Sequence, residues 1–177
     1  MNKKSSEDII KDLVSKSRKA QFVFEKYNQQ EVDEVITAVA WSLYKPLNNK
    51  KISDLAVDAT GLGNSNHKIL KNKRKTLGLL RDLKNIKTVG VINEDKKKGI
   101  IEIAKPVGVV AAVTPSTNPA ATPINNIINA LKGRNSIIIS PSPAGAEVFQ
   151  DLLMLINSEL KKVGAPENLI QTFISAG

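Results

Sequence analysis

The sequence predicts an α/β protein in which N-terminal helices and a β-hairpin precede half of a parallel sheet. Three observations carry this. Apolar residues recur at helical spacing through the first half, with capping residues at the ends. From Thr88 the pattern changes to short β-type runs around a polar turn. From Pro106 runs with no polar face alternate with amphipathic helices, as expected of parallel strands covered on both sides.

The first helix runs through Ile9, Ile10, Leu13 and Val14. Asn28 caps the second, with Glu31 reaching back in a variant of the capping box. Val32, Val35, Ile36, Val39, Ala40 and Leu43 follow at helical spacing, and Pro46 marks the end. A short helix carries Ile52, Leu55 and Ala56 and breaks at Gly61-Leu62-Gly63. Asn66 starts a fourth, with Ile69, Leu77, Leu80 and Leu83 as its apolar positions. These faces are narrow, so the helices must pack on something larger than themselves.

Val89–Ile92 and Ile100–Ile103 flank the polar turn 93–99 and form the hairpin. Val107–Val113 is a continuous apolar run ending at Thr114-Pro115. Ile124, Ile127, Ile128 and Leu131 then fall at i, i+3, i+4 and i+7, with Gly133 as the stop. Ser136–Ser140 is a second buried strand. The next helix carries Val148, Leu152, Leu155 and Ile156 and ends near Gly164-Ala165-Pro166, and Leu169–Ile174 offers a third strand. Strand, helix, strand, helix, strand is half of a doubly wound, Rossmann-like sheet with right-handed crossovers. The chain divides into a helical segment 1–87, a hairpin arm 88–105 and an incomplete nucleotide-binding core 106–177, within one domain. The sequence stops at Gly177, just after the third strand, so cover for the sheet edges is expected from a partner or a longer chain.

Composition excludes several functions. With 41% hydrophobic and 24% charged residues the 177-residue chain is not a disordered segment, and 4% aromatics require an aliphatic core. Having no cysteine, it holds no disulfide, thiolate metal site or cysteine nucleophile. His67 is the one histidine, and neither a carboxylate pair nor a metal-ligand cluster stands out, so no metal is expected. His67 itself reads as a surface residue. Gly61-Leu62-Gly63 has Asn66 where a dinucleotide fingerprint needs glycine, and no strand precedes it. No apolar run approaches the roughly 18 residues of a membrane span. Lys3 and Lys4 are followed by Ser5-Ser6-Glu7-Asp8 where a signal peptide would be apolar. A soluble, cytoplasmic protein is expected.

The net charge of +9 is concentrated. Residues 68–98 hold 11 Lys/Arg against 3 Asp/Glu, whereas residues 99–177 hold 5 against 5. Three readings stay open: a solvated helix face followed by a charged turn, a polyanion-binding stripe, or steering of a small anionic ligand such as a nucleotide. The segment has no aromatic residue to stack on a base, which counts against nucleic acid.

In open α/β sheets, ligands bind beyond the carboxyl ends of the strands. Two such ends are Thr114-Pro115-Ser116-Thr117-Asn118-Pro119 and Ser140-Pro141-Ser142-Pro143-Ala144-Gly145, both leading into helix N-termini that favour anions. Asn118 is either a turn or capping residue before Pro119 or an amide donor held toward a developing oxyanion. Ser140 and Ser142 carry the same ambiguity.

Residues 105–119 (KPVGVVAAVTPSTNP) resemble the aldehyde dehydrogenase superfamily, specifically its CoA-acylating branch. Residues 129–143 (NALKGRNSIIISPSP), 59–64 (ATGLGN) and 164–170 (GAPENLI) fit the same branch, in family order across nearly the whole chain. The resemblance implies oxidation of an aldehyde with NAD or NADP through a cysteine thioester, which coenzyme A releases as acyl-CoA. It places the family's oxyanion-hole asparagine on Asn118. It sets Thr114, Pro115 and Ser116 along the nicotinamide side, and Ser140, Pro141 and Ser142 along the adenosine side, where CoA binds in turn. Non-acylating members have a lysine where Ser140 stands, which leaves the choice between NAD and NADP open. The family's catalytic cysteine lies further along than Gly177, so the chain is expected to be the N-terminal part of a homo-oligomeric enzyme. Within the branch, residues 66–83 and 115–122 look most like members acting on sulfoacetaldehyde. A catalytically inactive, truncated nucleotide-binding fragment and a basic polyanion-binding module are the alternative functions.

Overall fold

The computed structural model describes residues 5–173; Lys3, Lys4, Ile174 and Gly177 lie outside them. Ser5 caps the first helix, α1 (Ser6–Phe24), its hydroxyl accepting from the Asp8 amide at 3.1 Å. The face α1 buries is Ser17, Ala20, Gln21 and Phe24, not the predicted Ile9 and Ile10, which are 39% and 40% exposed. The reason is polar docking. Gln171 donates to the Leu13 carbonyl and to Ser17 Oγ, and Gln21 donates to the Arg134 carbonyl, so the second half of α1 meets the sheet.

The capping box at Asn28 and Glu31 forms as predicted and opens α2 (Gln29–Tyr44). Val32, Val35, Ile36, Val39 and Leu43 are at most 3% exposed, and α2 packs against both later helices of the sheet half. Pro46 ends α2 and also opens α3 (Pro46–Thr60), where its fixed φ suits the first helical turn. Gly61, at φ 64°, closes α3 in the left-handed conformation that glycine adopts without strain. The cap of α4 (Ser65–Leu83) is Asn64, not the predicted Asn66, because the Asn64 carboxamide reaches the His67 amide at 2.9 Å.

The apolar seam predicted for α4 docks in part, through Leu80 and Leu83, which pack against the core. Leu77 is 45% exposed, whereas Asn72 and Thr76 are buried. Asn72 Nδ2 donates to Asn49 Oδ1 (2.9 Å) and Ser53 Oγ (3.2 Å), and Asn49 Nδ2 donates to the Ile69 carbonyl (3.1 Å). A network of this kind fixes the register of α4 against α3 more sharply than apolar contact would, since buried polar groups must find their partners.

The hairpin pairs β1 (Gly90–Asp95) with β2 (Ile100–Ala104) antiparallel, with an irregularity between Val91 and Asn93. Its base is tied down by Thr88, which donates to the Lys132 carbonyl (2.6 Å), and by Arg134, which donates to the Ala104 and Glu25 carbonyls.

The second sheet has β3 (Val109–Thr114), β4 (Ser136–Pro141) and β5 (Ile170–Thr172) in that spatial order, all parallel. Between them lie α5 (Ala121–Lys132), a single 3₁₀ turn at Pro143–Gly145, and α6 (Ala146–Lys162). Ile124, Ile127, Ile128 and Leu131 are fully buried, and each such side chain contributes about 1.5–3 kcal/mol of burial. Coverage of both faces holds for β4, whose first four residues are buried. It does not hold for β3, where Val113 is 85% exposed. The cause is placement: β3 is an edge strand among the described residues, and α1 packs mainly over β4.

The entry to β3 hangs on one side chain. Asn135 Oδ1 accepts from the Val107 and Gly108 amides (2.7 and 3.0 Å), and its Nδ2 donates to the Ala130 carbonyl (3.1 Å). Asn135→Ala should cost about 0.5–1.5 kcal/mol, the net scale of the hydrogen bonds removed, read as a lower denaturation midpoint. An unchanged midpoint would show that these amides find other partners.

Glu159, 8% exposed, accepts from Lys162 (2.7 Å) and Lys45 (2.5 Å). These bonds, Lys162 first, hold its carboxyl below the ordinary 4.5 despite burial. The ionised form is thus stabilised by folding, and that stability is present above the ordinary value and lost as pH falls through the lowered one. Wild type should outlast Glu159→Gln in thermal unfolding at neutral pH, and the gap should close with acidification. A gap independent of pH would contradict the assignment.

Candidate functional site

The site begins with strand lengths. Thr114 pairs with Pro141, so β3 and β4 end level with each other and both following loops start at one rim. The Ser142 amide donates to the Thr114 carbonyl at 3.0 Å. Gly145 lies against Pro119, so close that a Cβ there would sit 3.1 Å from the proline Cβ. The two loops expected to share an edge do so.

Two hydroxyls at this rim, Thr114 Oγ1 and Ser142 Oγ, are buried without a hydrogen-bond partner. Buried polar groups are otherwise nearly always paired, so these two carry hydrogen-bonding capacity that the described residues leave unused. Ser116, Ser140 and Pro141 are half-buried beside them, and Pro115 is exposed. This is a polar floor with open hydrogen-bonding capacity, which fits a nucleotide cofactor.

Asn118 ends the first loop and is half-buried. It does not cap α5, whose first turn has no side-chain cap bond. Its Oδ1 accepts from Lys71 Nζ at 2.9 Å. An ammonium can only donate, so the oxygen of the carboxamide must face Lys71 and Nδ2 is left to donate elsewhere. Nδ2 donates a long hydrogen bond to Thr117 Oγ1, at 3.4 Å.

Sequence reasoning left the basic segment open between a solvated face, a polyanion stripe and steering of a small anion, without a place at the site; the structure puts Lys71 and Lys75 beside Asn118. Lys71 and Lys75, one helical turn apart on α4, line a cavity of about 330 Å³ together with Asn118, Ala121, Thr122, Asn125 and Asn126. Both lysines and Asn125 also line an adjoining groove of about 560 Å³ that includes Arg74 and the exposed His67. The Asn125 Oδ1 atom is buried and unpartnered. None of the ion pairs among the described residues involves Lys71, Arg74 or Lys75. Burial, reinforced by Lys71, holds the Lys68 ammonium below its ordinary value. Lys96–Lys98 sit apart at the hairpin turn, where Asp95 accepts from two of their amides. The signal that was available is the i, i+4 spacing of Lys71 and Lys75 inside the +8 segment.

Gly61-Leu62-Gly63 forms the α3–α4 connection, and Asn64 Nδ2 lies 2.9 Å from His67 Nδ1. No metal-ligating cluster and no helix long and apolar enough to cross a membrane occur among the described residues.

Gly145→Val should push Pro119 and the Asn118 loop away from the rim, at a cost of about 1–3 kcal/mol for overpacking. Gly78→Ala, in open space on α4, should instead stabilise by about 0.5–1 kcal/mol. Equal effects of the two on the denaturation midpoint would contradict the close approach at Gly145.

Comparison with known proteins adds to this geometry. A family model described as the aldehyde dehydrogenase family matches residues 2–177. A sulfoacetaldehyde dehydrogenase (acylating) of Cupriavidus necator is 51% identical over 93% of this chain and 33% of its own length. The crystal structure of an acetylating aldehyde dehydrogenase from Geobacillus thermoglucosidasius superimposes with a TM-score of 0.88 at 33% identity, over 93% of this chain and 36% of that one. A propionaldehyde dehydrogenase of Rhodopseudomonas palustris, solved with bound CoA and an acylated cysteine, superimposes with a TM-score of 0.78 at 30% identity, over 92% and 36%. The chain thus spans about a third of the length of the relatives it matches.

Proposed function

The chain belongs to the aldehyde dehydrogenase family, and from that premise we propose that it supplies the N-terminal part of a CoA-acylating, NAD(P)-dependent enzyme that oxidises a small aldehyde, sulfoacetaldehyde foremost, to its acyl-CoA. The observation that carries this is the Asn118 carboxamide, its oxygen taken by Lys71 and its Nδ2 left with one N–H beyond a long bond to Thr117 Oγ1. Identity with the Cupriavidus enzyme supports the substrate, and the CoA-bound Rhodopseudomonas structure supports the acyl acceptor.

The thiol nucleophile must come from outside these residues, which contain no cysteine. Bound nicotinamide would take the hydride from the carbonyl carbon. Thr114, Pro115 and Ser116 form the nicotinamide side of its seat, and Ser140, Pro141 and Ser142 the adenosine side, with the unpartnered hydroxyls of Thr114 and Ser142 as donors. Asn118 Nδ2 donates to the aldehyde oxygen and gains most as negative charge builds there on thiol attack. Lys71 is a positioning residue in this step: it pins the amide oxygen, so the donor cannot turn away. The reading extends to a cytoplasmic homo-oligomer, to which the exposed Ile100, Ile101 and Ile103 of the hairpin offer apolar surface.

In a cysteine-bearing polypeptide that includes these residues, aldehyde, CoA and NAD(P)+ together should yield NAD(P)H and acyl-CoA. Asn118→Ala should lower turnover by roughly 10²–10³-fold, the usual scale for one oxyanion donor. Unchanged turnover with chemistry rate-limiting would remove Asn118 from the mechanism. The purified 177-residue chain should form no NAD(P)H from aldehyde, and formation by it alone would contradict the need for an external thiol.

A further inference from the structure

We propose that Lys71 and Lys75 form a recognition subsite for the anionic end, a sulfonate, of a short aldehyde whose carbonyl sits at Asn118. The inference rests on the reading above for the carbonyl, and it adds what holds the other end of the substrate.

Placement comes first. Lys71 and Lys75 stand at i and i+4 on α4, so their side chains share one face of the helix. Both line the same small cavity as Asn118, whose volume of about 330 Å³ suits a molecule of a few heavy atoms. Lys71 uses one of its three N–H donors on Asn118 Oδ1, which leaves two for a ligand within the same cavity. A single residue thereby touches the group that holds the carbonyl oxygen and remains able to reach a neighbouring anion.

Charge and vacancy of partners agree with the placement. No carboxylate neutralises Lys71, Arg74 or Lys75 among the ion pairs of the described residues, whereas Lys11, Lys16, Lys50 and Lys162 are each paired along their own helix. Two ammonium groups held on one wall without counterions raise the local anion affinity. Arg74 on the adjoining groove adds to the same potential. The remaining wall supplies amides, from Asn125 and Asn126, rather than acids. A sulfonate suits this arrangement, because its three oxygens let two separated point-charge donors bond different acceptors. A carboxylate, with two oxygens in one plane, satisfies a planar guanidinium better.

The test has two arms. The first titrates the isotope-labelled 177-residue chain with ethanesulfonate, propionate and the uncharged ethyl methyl sulfone, following the Asn118 and Asn125 side-chain amide resonances. Ethanesulfonate should give saturable shifts, propionate weaker ones and the sulfone none. Lys71→Met or Lys75→Met should weaken the ethanesulfonate response by about three- to tenfold, the scale of one charged hydrogen bond at a part-exposed site. Lys73→Met, which removes a charge from α4 that lies instead over the Tyr44 ring, should not. Absent shifts, equal shifts with the sulfone, or equal weakening by all three substitutions would overturn the subsite.

The second arm measures, in the cysteine-bearing polypeptide, the ratio of kcat/KM for sulfoacetaldehyde over propionaldehyde. Lys75→Met should lower that ratio, mainly through KM for the sulfonate. A parallel fall for both aldehydes would mean a structural role and overturn the proposal. Loss of all aldehyde oxidation in the unmodified polypeptide, with the anion titration intact, would instead overturn the functional reading and leave the subsite standing.

Discussion

Everything at the site depends on β3 and β4 ending at the same level. Parallel pairing in register from Val109 and Ser136 to Thr114 and Pro141 leaves both chains to turn at one rim. The Ser142 amide then closes onto the Thr114 carbonyl, and Gly145 makes room for Pro119. A slip of one residue would reverse every side chain of a strand and carry Thr114 out of the buried row. Asn135 guards against such a slip at the opposite end, where it holds the backbone entering β3.

The second wall of the site is built from further away. Helix α4 is the last of the helices before the hairpin, and its basic face reaches Asn118 only because α4 is fixed on α3 by Asn49, Ser53 and Asn72. Three polar side chains with definite partners set both the rotation and the height of the helix. Lys71 immediately precedes Asn72, so the residue that registers the helix and the residue that meets Asn118 are neighbours in sequence and diverge in direction. The Asn118 amide is thus oriented by a chain of bonds that begins in a buried polar seam, and in the proposed mechanism that seam would serve the site as well as stability.

How much of this was legible depends on the kind of signal. The apolar periodicity of α5, the capping box of α2 and the runs of β3 and β4 all translated into structure, because burial and local hydrogen bonding dictate them. Asn118 and both rim loops were visible from the rule that ligands gather beyond strand ends, and from the resemblance of residues 105–119. Three things were hidden. Asn72 was absent from the apolar positions assigned to α4, since nothing local reveals a polar group that is paired across helices. Val113 read as covered, since an apolar run does not say how far a helix extends over an edge strand. Lys71 and Lys75 could not be placed, since an exposed lysine 47 residues away from Asn118 in sequence meets it only through the tertiary fold.

A structure of the cysteine-bearing polypeptide holding NAD(P) and an unreactive aldehyde analogue would test the central claim most directly. The account predicts Asn118 Nδ2 within about 3 Å of the analogue's carbonyl oxygen, with Lys71 still bonded to Oδ1. A carbonyl oxygen held by other donors, with the Asn118 amide rotated away from it, would contradict the account.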